Sequence, residues 1–419
     1  MPKLIIEKLV NGGQALARYE NKVVFVWGAL PGEEVEVEIV NQKKNFAQGI
    51  VTKIYKASPD RLEPLEEHYA SCSPWQIMKP ETEDFWKKEI TLEMYKKAGV
   101  LPEKLKIDLI SDQNKFEHYR NKIEYSFCLN KDNEISYAFF ERNTNDLNAI
   151  LDCCLASEAI GMASVKVLTW LRQSGLALEV LSKIVFRSNE KGEVMATLFM
   201  NQKKELISTP AWDENLVSFQ IYLTEDKGGT RTFSQGKKTL VEEFKDFTFR
   251  YDCQSFFQVN WPIFTKALED IQSVVDDESL VVDYYSGVGV IGLSLAKRVQ
   301  KVSLVESDEN AINLARQNIQ DNKIENCSVI KGDAGSLLDS ITKSRTVIFD
   351  PPRAGLDARV VNRVLEQKPK QIIYLSCDPA TQARDCAKFQ KDYNVRMVRL
   401  YNFFPRTPHV EALWVLDRK

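Results

Sequence analysis

The chain has no Cys-x-x-Cys pair and only three histidines among its 419 residues, which excludes the common zinc-finger and zincin patterns. No apolar run approaches the roughly 18 residues needed to cross a bilayer. The opening Met-Pro-Lys-Leu-Ile-Ile-Glu lacks the apolar core and cleavage site of a signal peptide, so the expected location is the cytoplasm. A charge excess is also missing, since 56 Lys plus Arg against 59 Asp plus Glu leave a formal net of -3. Nucleic-acid binding is therefore not announced globally, although a local basic patch suffices for it. Low-complexity tracts are absent. What remains is ordinary for folded protein, 44% hydrophobic and 27% charged residues, and the length implies about two to four domains. The eight cysteines read by default as buried intracellular thiols.

Residues 1 to about 57 read as short strands broken by turns: Leu4 to Leu9, Val23 to Val26, the Pro31-Gly32 turn, alternating Val35, Val37 and Ile39, then Gly49 to Ile54. That pattern predicts a five-stranded barrel of the OB type, commonly an RNA-binding module. Lys43-Lys44 beside Phe46 is either a phosphate and base contact or a solvated hairpin tip. A helix is expected from Thr82 to Ala98, ending at Gly99. The span 58–245 is grouped as a central α+β unit with strand alternation at Ile123, Tyr125 and Phe127 and a helix capped by Ser157. Within it, Phe116-Glu-His-Tyr-Arg120-Asn-Lys122 has a composition suited to stacking on bases and meeting phosphates; the alternative is a half-buried strand with a wet basic face.

The third unit, 246–419, changes period. Short apolar strands (Leu280 to Asp283, Val302 to Val305, Ser328 to Lys331, Thr346 to Phe349, Ile372 to Leu375) alternate with amphipathic stretches such as Asn310 to Asn318 and Ala358 to Leu365. This predicts a doubly wound, Rossmann-like α/β sheet with ligands at the carboxyl ends of its strands. The first strand enters Asp283-Tyr-Tyr285-Ser-Gly287-Val-Gly289-Val-Ile-Gly292. The glycines match a dinucleotide turn, which alone is weak. An acid four positions before the first glycine is instead the arrangement of S-adenosylmethionine sites, where Asp283 faces the cationic methionine end. Glu306, ending the second strand, stands where a carboxylate receives ribose hydroxyls, and Asp333, after the third, is placed to contact the adenine amine. The competing reading is a structural turn with two helix caps. The fourth strand ends in Asp350-Pro-Pro-Arg353, whose prolines hold the acid rigidly at the ligand edge, and the fifth in Ser376-Cys377-Asp378-Pro379, which sets a thiol at that edge.

The cofactor turn, Asp-Pro-Pro-Arg, Ser-Cys-Asp-Pro and the late His409-Val410-Glu411 together resemble the RNA uracil-5-methyltransferase family, which makes 5-methyluridine in ribosomal or transfer RNA. Residues 1 to about 57 resemble that family's TRAM domain, and Ser255-Phe-Phe-Gln258-Val-Asn260 its entry to the catalytic domain. The resemblance implies that Gln258, Tyr285, Gly287, Glu306, Asp333 and Asp350 surround S-adenosylmethionine, that Cys377 is the nucleophile and that Glu411 is the base. Val290 stands where an Asn often follows the family's glycine turn. Many members carry an iron–sulfur cluster on a Cys-x5-Cys-x2-Cys run plus a later cysteine. Here Glu63 and Tyr69 replace two of those thiols and only Cys72 and Cys154 remain, so neither a cluster nor another metal is expected; adjacent Cys153 leaves room for a weak metal site.

The chemistry suits these residue types. Uracil C5 is a poor nucleophile until a thiolate adds to C6, and a base must afterwards remove the C5 proton so that the cysteine can leave. A flipped or single-stranded target is implied, with Phe256 or Phe257 available for stacking. An adenine amino-methyltransferase would need no thiol; a cytosine-5 enzyme would share the thiol; a silent RNA-binding protein or a nicotinamide dehydrogenase would not need Cys377 and Glu411 together. Ribosomal RNA is favoured over transfer RNA because of the barrel, and a monomer without an obligatory protein partner is expected.

Overall fold

The computed structural model describes all residues except 103–104, 143, 205–207 and 225–228. Six strands, Lys3–Ile5, Lys8–Leu9, Ala15–Tyr19, Lys22–Trp27, Glu34–Gln42 and Phe46–Lys56, form one sheet. In Glu34–Gln42 the buried Val35 and Val37 alternate with outward glutamates, as a half-buried strand requires. There are six strands rather than five because the stretch from Leu4 to Leu9 changes partner midway: Lys3–Ile5 pairs with residues 34–36 and Lys8–Leu9 with Ala15 and Leu16. The core of this sheet is not closed by its own residues. Trp75, Ile77, Met78 and Ile90 pack into it from outside.

The helix Pro80–Lys97 begins two residues before the expected start, since Pro80 is preorganised for the first helical turn. Glu81 and Glu83 lie in its first turn and Lys96 and Lys97 in its last, each favourable to the helix dipole. A seven-stranded sheet, in the order Leu147–Ile150, Ile135–Phe140, Lys122–Leu129, Leu181–Ser188, Val194–Met200, Leu216–Leu223, Thr230–Gly236, forms the centre of the chain. Glu158–Gln173 covers it, and Ser157 accepts from the Ile160 N–H as an N-cap. The grouping of 58–245 as one unit does not match the pairing. Asp108–Ile110 joins the edge of the carboxyl-terminal sheet beside Tyr393–Tyr401, and Tyr95, Val100 and Ile107 are buried in the core of that sheet. Tyr95 also donates to Gln382 Oε1 at 2.9 Å. Apolar burial assigns this stretch to the carboxyl-terminal unit.

That unit is an eight-stranded sheet ordered Cys327–Lys331, Lys301–Glu306, Leu280–Tyr284, Arg345–Phe349, Gln371–Ser376, Glu411–Arg418, Tyr393–Tyr401, Asp108–Ile110. The first five run parallel, and Glu411–Arg418 is antiparallel to both neighbours. Alternate residues serve two cores. Val281, Ile348, Ile373 and Leu413 face the side of Trp261–Val274 and Glu309–Asp321, whereas Val282, Val347, Ile372 and Trp414 face that of Ala358–Gln367 and Pro379–Phe389. Burial on both faces explains why these strands read as continuous apolar runs. Strand order reverses between Leu280–Tyr284 and Arg345–Phe349, which opens a crevice at their carboxyl ends. Among the described residues, no helix is long and apolar enough to cross a membrane.

Candidate active site

The turn after Leu280–Tyr284 is made by left-handed backbone at Tyr285 (φ 61°), Gly287 (φ 53°) and Gly289 (φ 91°), closed by the Gly289 N–H on Ser286 O at 2.8 Å. Gly292 is required for packing: a Cβ there would lie 2.5 Å from Leu304 Cδ2. Asp283 does not face the crevice, contrary to the expectation. Strand alternation puts it on the face shared with Val281, where Oδ2 accepts the Gly292 N–H at 2.9 Å and burial pushes the carboxyl up to about 8. It fastens the turn from behind.

The crevice holds a cavity of about 470 Å³ lined by Phe256, Gln258, Tyr285, Gly287, Glu306, Asp350, Pro351, Pro352, Arg353, Cys377, Phe404 and Glu411. Gln258, Tyr285, Gly287, Glu306, Asp350, Cys377 and Glu411 are all on its wall as expected, whereas Asp283 and Asp333 are not. Glu306 Oε2 accepts from Gly287 N at 2.8 Å, and Oε1 from Ser307 N and Asp308 N. Asp333 lies beyond the lining, where Oδ1 accepts from Gly335 N at 3.0 Å and from Arg359 Nη2 at 3.3 Å. Phe257 is core, stacked on Tyr251 at 4.0 Å between centroids, so of the two candidate stacking rings only Phe256, 66% exposed, is available.

Three acids crowd the far end. Burial, then Glu411 and Asp350, push the Cys377 thiol up to about 12, and the Arg353 guanidinium opposes them. Burial alone brings Asp350 to about 7. Glu411, 2% exposed, is raised well above the carboxylate range by burial and Asp350, and its Oε1 has no hydrogen-bond partner among the described residues. Asp378 is an N-cap, accepting from Ala380 N and Thr381 N, which explains the Asp-Pro following the cysteine.

On the other side of Cys377, a second cavity of about 270 Å³ is lined in part by Asn11 and Gly12 of the barrel, Lys87, Arg353 and His409. His409 Nε2 lies 3.2 Å from Arg353 Nη2, and burial and Arg353 hold the imidazole down at about 4, hence neutral. The Arg353–His409 pair and the barrel's approach escaped the sequence reading. The adjoining motifs contained both side chains, but no spacing rule joins positions so far apart. The proposed stacking stretch loses its rings: Phe116 and Tyr119 are 2% and 4% exposed, while burial and Arg187 lower Lys122 to about 8. At the barrel tip Lys43 and Lys44 are exposed, and Phe46 packs edge-on against Phe25.

Sheet, turn and paired cavities define a doubly wound α/β protein with its ligand site at the carboxyl ends of the strands. Comparison with known proteins narrows this. The chain belongs to the tRNA (uracil-5-)-methyltransferase family, whose model matches residues 107–419, and it carries a TRAM domain over residues 3–52. It is an S-adenosylmethionine-dependent RNA (uracil-C5) methyltransferase. An uncharacterised RNA methyltransferase of Fusobacterium nucleatum is 31% identical, with 99% of this chain and 95% of the relative covered. One from Thermotoga maritima is 27% identical, with 97% of each covered. In fold, the chain matches the solved Pyrococcus abyssi tRNA (uracil-54, C5)-methyltransferase in complex with S-adenosyl-L-homocysteine, with a TM-score of 0.80, 24% identity, and 99% and 100% of the two chains covered.

Proposed function

We propose that Cys377 adds to C6 of a uracil in RNA, that C5 then takes the donor's methyl group, and that Glu411 removes the C5 proton. The observation carrying this reading is the convergence of Cys377, Asp350 and Glu411 on one cavity that the glycine turn, through Tyr285 and Gly287, also lines. S-Adenosylmethionine supplies the methyl group and a positive sulfonium charge. A cavity of about 470 Å³ is of the size that takes such a ligand. Gln258, Tyr285, Gly287, Glu306 and Asp350 surround the donor, with Asp333 at the adenine edge.

The raised acids fit the order of events. In the resting site the thiol keeps its proton, which protects it from unproductive reaction. A cation beside Asp350 favours the ionised forms of Asp350, Cys377 and Glu411, and the thiol proton leaves to solvent. The Cys377 thiolate then bonds to C6, the electron pair moving onto the uracil O4 and back through C5 to the methyl carbon, while the methyl–sulfur bond breaks and its electrons remain on the donor sulfur as a neutral thioether. Once the methyl has moved, the sulfonium charge is gone, and the proton affinity of buried Glu411 rises when it must accept the C5 proton. The C6–S bond then breaks and restores Cys377.

The test is RNA containing 5-fluorouridine, whose fluorine cannot leave as a cation. Wild type should form a stable covalent adduct, and Cys377→Ala should form none, lose methylation and keep its donor affinity. Turnover in the alanine variant would remove the mechanism. Ribosomal RNA is the proposed substrate, but the barrel that favoured it no longer separates the two classes, because the Pyrococcus transfer-RNA enzyme matches this chain over its whole length. Methyl incorporation into unmodified transcripts of both RNAs decides, and exclusive labelling of transfer RNA would overturn the ribosomal reading.

A further inference from the structure

The linker between barrel and helix Pro80–Lys97 meets the central unit at a cluster that the methyl-transfer chemistry does not use. Donor atoms of Glu66, His68, Cys72 and Cys153 all lie within 4.8 Å of one another. Three come from one short stretch of linker, and the fourth from the loop before Glu158–Gln173. The pocket is protein-lined: Cys153 is 1% exposed, and the side chains of His68 and Glu66 are 10% and 14% exposed. His68 Nε2 is buried without a hydrogen bond, although Glu66 Oε2 is 3.4 Å away. A buried imidazole nitrogen without a hydrogen bond among the described residues, in a cluster that also holds a carboxylate and two thiols, is one that a bound cation would satisfy.

The family's iron–sulfur cluster does not fit these residues. It needs four thiolates, and Glu63 and Tyr69 stand at two of the family's cysteine positions. Cys154, the later cysteine of that pattern, gives its thiol to Glu66 Oε2 at 3.1 Å, and it is Cys153 that joins Cys72. Two sulfurs, an imidazole and a carboxylate oxygen instead make a closed tetrahedral set. Bonds of about 2.3 Å to sulfur and about 2.0 to 2.2 Å to nitrogen and oxygen bring such ligand atoms to within about 4 Å of one another, a small contraction of the observed cluster. Thiolate and imidazole together select zinc over magnesium or calcium.

We propose that Glu66, His68, Cys72 and Cys153 bind one zinc-class divalent cation that staples the linker to the central unit. With four protein ligands the site is structural, leaving no position for a reacting molecule. It fixes the linker whose next residues, Trp75, Ile77 and Met78, complete the barrel core. The barrel is thereby held over the cavity beside Cys377.

The full-length protein, purified from cells and passed through a weak chelator, should retain about one zinc per chain by elemental mass spectrometry. Stripped with a strong chelator and titrated with cobalt(II), it should show the visible bands of a tetrahedral ion and a near-ultraviolet thiolate band, saturating at about one equivalent. Cys72→Ser should weaken the thiolate band about twofold, and Cys72→Ser with His68→Ala should lower retained zinc at least about tenfold. The proposal is overturned if wild type keeps less than about a tenth of an equivalent and shows no tetrahedral cobalt spectrum. It is equally overturned by stoichiometric iron with sulfide, or by full zinc retention in the double variant. The wild-type cobalt titration decides the matter even if the variants do not fold.

Discussion

The thiol of Cys377 sits among groups that hold its proton in place, and this sets a measurable reactivity. Because burial, Glu411 and Asp350 push it up to about 12, its alkylation by iodoacetamide in the free enzyme should be slow at neutral pH and climb far beyond the ordinary thiol midpoint of about 8.5. Glu411→Gln removes a negative neighbour and should move the midpoint down; Arg353→Gln removes the opposing cation and should move it up. Peptide mass spectrometry of the residue 377 site reads both, and a wild-type midpoint near 8.5 would show that the site does not protect the thiol. On ordinary RNA, Glu411→Gln should also stall after methyl transfer, so that adduct accumulates; normal turnover with no adduct would free Glu411 from the role of base. Cys377 stood out in sequence because a short motif at a strand end carries it, whereas Glu411 was singled out only by the family resemblance. Asp283 was misread for a reason equally local. It shares strand parity with Val281, and applying that alternation would have turned it away from the crevice.

At the scale of the element, the strand-turn-helix unit depends on two contacts behind the turn. Gly292→Ala would press a methyl against Leu304 and Asp283, so it should cost about 1 to 3 kcal/mol of stability and weaken donor binding. Leu304→Ala in the same chain should return part of the affinity, and no return would locate the damage elsewhere. Asp283 adds a pH signature. Its folded value of about 8 stands above the ordinary 3.8, so the native state keeps a proton that the unfolded chain releases between those values. Its contribution is complete below about 3.8 and is lost as pH rises through about 8. Asp283→Asn should flatten the decline in that window by at most about 1.4 kcal/mol per pH unit, measured by urea unfolding across pH. An unchanged slope would show that Asp283 is ionised in the native state. The parallel strands were read to within one or two residues because they are doubly buried apolar runs. The edge strand Asp108–Ile110 was not, since three half-buried residues carry no period and their partner lies almost 300 residues away.

Across the whole molecule, the loop bearing His409 is held by a buried ion pair. Glu83 and Lys87, both 0% exposed, are 2.8 Å apart; Glu83 accepts the Arg406 N–H, and Lys87 donates to Asn402 Oδ1 at 2.6 Å and Phe404 O at 3.0 Å. Burial raises Glu83 and lowers Lys87, each countered by its partner. Lys87→Met should therefore destabilise by about 3 to 5 kcal/mol through the acid left unpaired, and adding Glu83→Gln should recover part of it. A loss below about 1 kcal/mol in urea unfolding would mean that the pair is dispensable. Sequence gave no sign of this network, because buried charges look like surface charges until their distant partners are known. The place of Glu411–Arg418 in the sheet also bears on synthesis. That strand fills the slot between Gln371–Ser376 and Tyr393–Tyr401, so a nascent chain stopped before residue 411 presents two unpaired strand edges. A chain released at that point is expected to be a client for chaperones and prone to aggregate.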